Sequence, residues 1–78
     1  KVNPFMVQVD PLPGNEKPNK NGHDGQEYDY VIEGTLEVTI EEKVMVLNPG
    51  DSIYFDSKKQ HCFRSLNGEP AKFLCIII

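Results

Sequence analysis

The sequence predicts an all-β domain, a small antiparallel barrel or sandwich, and three observations carry that prediction. Short β-rich segments, seven or eight of them, recur about ten residues apart. Turn-forming clusters of Pro, Gly, Asn and Asp separate them. No stretch keeps apolar residues at i, i+3, i+4 and i+7 for three turns, so helices are not expected.

Each element follows in order. Phe5–Val9 is β-rich and is closed by Pro11 and Pro13-Gly14. A polar loop then spans 10–25, rich in Pro, Asn, Gly and Lys over Asn15–Gly25; long loops on small barrels commonly form mobile rims or line sites. Tyr28–Ile32 reads as a strand, with Glu33-Gly34 as its turn. Thr35–Glu41 alternates cleanly: Leu36, Val38 and Ile40 face one way, and Glu37, Thr39 and Glu41 the other. Glu42-Lys43 reverses the chain into Val44–Leu47. In Asn48-Pro49-Gly50-Asp51, Pro49 fixes one φ and Gly50 accepts a positive one, which makes a strong β-turn. Ser52–Phe55, His61–Leu66 and Ala71–Ile78 complete the strands, joined by a charged loop at Asp56–Gln60 and a turn at Asn67–Pro70.

The 78 residues suffice for one domain and one core, taken as 1–78. With 38% hydrophobic and 26% charged residues the composition is that of a folded globular chain. A core this small is marginal, so dimerisation or strands from neighbouring sequence would be a natural supplement. The chain opens on Lys1 rather than Met and reads as an excised domain or a processed product. No apolar run approaches the roughly 20 residues of a membrane span.

The net charge is −4, and seven acids lie between Asp24 and Glu42 with no intervening base. Nucleic-acid binding by this chain is therefore not expected, because phosphate contacts need clustered Lys and Arg. The acids themselves read as a solvated strand face. Cys62 and Cys75 fit no metal or redox spacing; both sit in apolar strands, where reduced, buried thiols are usual, and a disulfide stays open if their strands are neighbours. A reducing cytoplasm is the expected compartment. Cys62 follows His61 directly, and adjacent strand residues point to opposite faces, which argues against a Cys–His nucleophile.

From His23 onward the sequence resembles the cupin family. Glu27 is followed after six residues by Gly34, as in the first cupin motif; His23 stands at that motif's second histidine and Asn21 where its first is expected. Gly14 lies one residue before the ideal leading glycine. Pro49-Gly50-Asp51 followed by His61 is similar to the second motif of small cupins, with Ser65 at the place of its final Asn and Asn67 two residues on. The resemblance implies a jelly-roll β-barrel with a divalent metal inside, held by His23, Glu27 and His61 with Asn21 in the fourth place. Two imidazoles and one carboxylate suit Fe, Mn, Ni or Zn and leave positions open to water or ligand. An amide at Asn21 is a poorer ligand than the histidine it replaces, and weakens binding without abolishing it. The other reading of the three is a hydrogen-bonded polar cluster lining a metal-free pocket. Tyr28, Tyr54 and Phe63 are the aromatic candidates for the pocket wall, while Gly34, Pro49, Gly50 and Asp51 serve turns.

The stretch from His23 to Asn67 also resembles the C-terminal sensor cupin of bacterial helix-turn-helix regulators of the XRE type. That implies a homodimer binding a small-molecule ligand, with DNA bound only by a separate helix-turn-helix domain. The competing expectation is a small metal-dependent enzyme, of dioxygenase or isomerase type, using His23, Glu27 and His61. Asp29 or Tyr28 would be its candidate general acid or base, and the sequence selects neither.

Overall fold

Seven strands and no helix make up the described residues of the computed structural model, which are 3–14 and 16–78. Asn15, part of the predicted 10–25 loop, lies outside them. The strands are β1 (Asn3–Val9), β2 (Gln26–Glu33), β3 (Leu36–Ile40), β4 (Lys43–Leu47), β5 (Ser52–Asp56), β6 (His61–Ser65) and β7 (Ala71–Ile77). They form two antiparallel sheets, ordered β1-β7-β2-β5 and β4-β3-β6, packed as a small jelly-roll barrel. No helix of the described residues is long and apolar enough to cross a membrane.

Strand alternation decides what the barrel contains. On β3, Leu36 and Val38 are buried as expected, and they pack with Val31, Ala71, Phe73 and Cys75 into the core. On β2 the buried positions are Glu27, Asp29 and Val31, so Tyr28 and Tyr30 face outward. This corrects the solvated reading of the acids: Glu27 is 2% and Asp29 0% exposed.

The turns follow the sequence with one shift. The β3–β4 reversal is made by Glu41-Glu42, not Glu42-Lys43, since Lys43 already pairs with Ile40. Glu41 takes a left-handed φ of 54°, and its N–H donates to the Gln60 carbonyl at 2.7 Å, which ends β3 at Ile40. Gly34 has φ 79° and lies against Pro70 and Ala71 so closely that a Cβ would collide with the Pro70 carbonyl oxygen. At the 48–51 turn the Asp51 N–H donates to the Asn48 carbonyl, and Asp51 Oδ2 accepts from the Asn48 N–H at 2.8 Å. Gly50 N–H and Asp51 C=O then bond the Val31 backbone, tying this turn to β2.

Candidate metal centre and ligand cleft

His23, Glu27 and His61 come from three segments that the backbone brings together. Glu27 sits near the start of β2, on its inner face. His61 opens β6 and is 5% exposed. His23 lies on the loop before β2, which is strapped across the 57–61 segment. Asn21 and His61 exchange backbone hydrogen bonds at 2.9 Å each, and the His23 N–H donates to the Ser57 carbonyl at 2.9 Å. The long loop therefore lines the site, as its length led one to expect.

The imidazoles are oriented from behind. His61 Nδ1 lies 2.7 Å from the Lys59 carbonyl oxygen and His23 Nδ1 3.2 Å from that of Asp24. A carbonyl can only accept, so each Nδ1 carries a hydrogen and each Nε2 is the ring atom turned forward. Both Nε2 atoms face the same oxygen, Glu27 Oε1, at 3.1 Å from His23 and 3.5 Å from His61. Two imidazole nitrogens and a carboxylate oxygen this close need a proton or a cation between them; Glu27 and His61 are buried here, while the His23 side chain is 40% exposed. Backbone carbonyls bonded to the far nitrogen in this way are the usual support of metal-ligating histidine. The donor set, with its ligand atoms all within 4.8 Å of one another, fits a divalent transition metal.

The remaining candidates divide. Asn21 is exposed, and what it contributes here is its backbone pairing with His61. Phe63 packs edge-on against His61 with centroids 5.9 Å apart, as a pocket wall should. Tyr54, 60% exposed, lines an open cleft beside β5, but it and Tyr28 pair with each other on the outer face of the sheet, away from the three ligands. The reason is alternation, because Tyr28 adjoins inward Glu27 and Tyr54 adjoins inward Phe55. Phe55, not among the three aromatic candidates, stands on the wall beside His61. It pairs with Glu27 across β2–β5 and sets its ring 4.9 Å from His61.

Phe55 also lines the open cleft, of about 580 Å³ between β5 and the β3–β4 hairpin, together with Tyr54, Ile40, Met45, Ile53 and Lys59. Its volume is within the range of small-molecule sites. Cys62 points away from all of this, onto the outer face of β6, and lines a separate surface pocket with Lys20 and Arg64. Both cysteines are free, Cys62 half-buried and Cys75 buried, on strands of different sheets.

One row deeper than Glu27, Asp29 and Cys75 stand directly opposite each other across β2–β7. Burial, then the neighbouring Glu27 carboxylate, push the Asp29 carboxyl up to about 9. Burial, then Asp29, also push the Cys75 thiol up.

A barrel of two antiparallel sheets carrying two histidines and one glutamate at its mouth is a β-barrel of the cupin kind, with a side-chain group that could hold a metal. The Cupin_2 family (cupin domain) matches residues 7–77, and the chain belongs to that family. No curated protein sequence matches it. Among solved structures, the cupin domain of an XRE family transcriptional regulator from Enterobacter cloacae is 25% identical, with TM-score 0.84; the match covers 99% of this chain and 80% of that one. Hydroxypropylphosphonic acid epoxidase from S. wedmorenis, in complex with fosfomycin, is also 25% identical with TM-score 0.84, over 99% of this chain and 43% of that one. A structure of Fe(II) HppE with substrate superposes with TM-score 0.86 at 24% identity, and the chain spans only 45% of its length.

Proposed function

We propose that this domain binds a small molecule at a divalent metal held by His23, Glu27 and His61, and serves as the sensing half of a bacterial transcriptional regulator. The observation that carries the metal is the convergence of two imidazole Nε2 atoms on Glu27 Oε1. The sensing role is supported by the match to the regulator's cupin domain, which is nearly complete in both directions. The metal, once bound, supplies Lewis-acid attraction for a ligand's oxygen or nitrogen. The chain's own groups do the rest: the Lys59 and Asp24 carbonyls hold the imidazoles, Phe55 and Phe63 pack around His61, and the 580 Å³ cleft, which none of the three ligands lines, adjoins them through Phe55. In this reading the chain is cytoplasmic, consistent with free Cys62 and Cys75, and works as a homodimer whose DNA contacts belong to another domain.

A second reading, a metal-dependent oxygenase, is favoured by the ligand set itself. Two histidines and one carboxylate are the triad of non-haem Fe(II) oxygenases, and an Fe(II) enzyme is among the structural neighbours. The experiment is elemental analysis of chelator-free protein, followed by oxygen-electrode assays of the Fe(II)-loaded domain against a panel of small polar metabolites. Stoichiometric metal, with one equivalent lost in His61→Ala, ligand-dependent thermal shifts and no oxygen uptake, is expected. Oxygen uptake coupled to one compound would replace the sensor with the enzyme, and a wild-type protein without metal affinity would sink both.

A further inference from the structure

A second group of metal-capable side chains lies just inside the first and shares a residue with it. Glu27, Asp29 and Cys75 offer two carboxylates and a thiol whose ligand atoms all lie within 4.8 Å of one another. All three are buried, at 2%, 0% and 4% exposure. The backbone fixes the arrangement: Glu27 and Asp29 are two apart on the inner face of β2, and Cys75 is the β7 partner of Asp29. Neither Asp29 oxygen has a hydrogen-bond partner among the described residues. Two buried carboxyl groups side by side need either a proton or a cation between them, and a metal ion can take the proton's place.

We infer that Glu27, Asp29 and Cys75 form a second transition-metal site, with Glu27 bridging it to the site of His23 and His61. Glu27 Oε1 faces the two imidazoles, which leaves its other oxygen for the deeper ion. Charge supports double occupancy: two carboxylates and one thiolate bring three negative charges, and two divalent ions bring four positive ones. The thiolate sets the class of ion. Sulfur with carboxylates selects Zn(II), Fe(II) or Co(II) over Mg(II) and Ca(II), which prefer oxygen alone. Binding displaces the thiol proton, so uptake of the deeper ion releases acid.

Cobalt(II) titration of the metal-free protein tests this, because thiolate ligation gives an intense near-ultraviolet charge-transfer band that imidazole and carboxylate do not. The expected result is two equivalents bound per chain, with the band present. Cys75→Ser should abolish the band and leave one equivalent, whereas Cys62→Ser should keep both. His61→Ala should lose one equivalent and retain the band, which separates this site from the outer one. A single equivalent without the band in the wild-type protein would overturn the inference while leaving the outer centre intact. A band that survives Cys75→Ser would overturn it as well, since the thiolate would then be elsewhere. A single equivalent with the band would support the deeper site and remove the outer one.

Discussion

Glu27 is the residue on which both clusters turn, and its environment makes its substitution informative. Its carboxylate faces His23 and His61 through one oxygen, and it neighbours Asp29 on the same strand face. Glu27→Gln keeps the shape and removes the charge. It should weaken divalent-metal binding by more than the roughly 10–100-fold typical of losing only a supporting partner. Isothermal titration with Zn(II) checks this, and unchanged affinity would exclude Glu27 as a ligand. Asp29 makes a second residue-scale prediction, in the metal-free protein. Its carboxyl is raised from the ordinary range to about 9 by burial and by Glu27. Across that interval the folded chain holds a proton that the unfolded chain has released, so stability falls as pH rises. One such proton corresponds to a slope of at most about 1.4 kcal/mol per pH unit. Urea melts in chelator should therefore show the wild type losing stability from pH 5 to pH 8. Asp29→Asn should flatten that trend, and parallel profiles for the two proteins would refute the assignment.

Turns and strands are the scale at which sequence reading succeeded most, and the reasons are local. Gly34 and Gly50 both take positive φ, at 79° and 94°, as their turn contexts imply. What the sequence could not distinguish is their surroundings. A Cβ on Gly50 meets nothing within 4 Å, so Gly50→Ala should cost only the left-handed backbone penalty of about 1–2 kcal/mol. On Gly34 it would strike backbone of the β6–β7 connection, and Gly34→Ala should cost at least about 2 kcal/mol more than Gly50→Ala. Thermal melts of the two variants make the comparison, and equal losses would mean that the Gly34 contact yields freely. The site was legible to the same local depth. The spacing from His23 to Glu27 and the place of His61 carried its three ligands, because they sit in motifs tied to turns. Tyr28 went astray although alternation beside Glu27 already excluded it from the inner face. The pairing of Phe55 with Glu27 and of Cys75 with Asp29 was out of reach for another reason: it depends on the register of distant strands, which no local pattern encodes.

At the scale of the whole molecule, the outer face of the four-stranded sheet is a surface that the chain itself leaves uncovered, as are Val44 and Val46 on β4. Pairing across the four-stranded sheet sets two outward rows side by side: Pro4, Ile76, Tyr28 and Tyr54, then Met6, Leu74, Tyr30 and Ser52. Neither row carries a charge, although the chain as a whole is at −4. Like-charged copies can therefore approach here without opposing carboxylates, and Met6 at 56% and Tyr54 at 60% exposure remain to be buried. A standard interface covers about 800 Å² per partner, roughly a sixth of the 4945 Å² surface of this chain. A face-to-face homodimer through this sheet is the expected solution state. It would also supply the apolar burial that a 78-residue core provides only sparingly. Met6→Lys with Tyr30→Lys places two charges in the face at exposed positions, where the monomer fold tolerates them. Burying them unpaired should cost several kcal/mol, enough to raise the dimer dissociation constant at least about 100-fold. Light scattering should then report a dimer for the wild type and a monomer for the double variant, with unchanged circular dichroism. A wild-type monomer at 100 µM would show that this face waits for a different partner, and a dimer that survives the two lysines would move the interface to another surface.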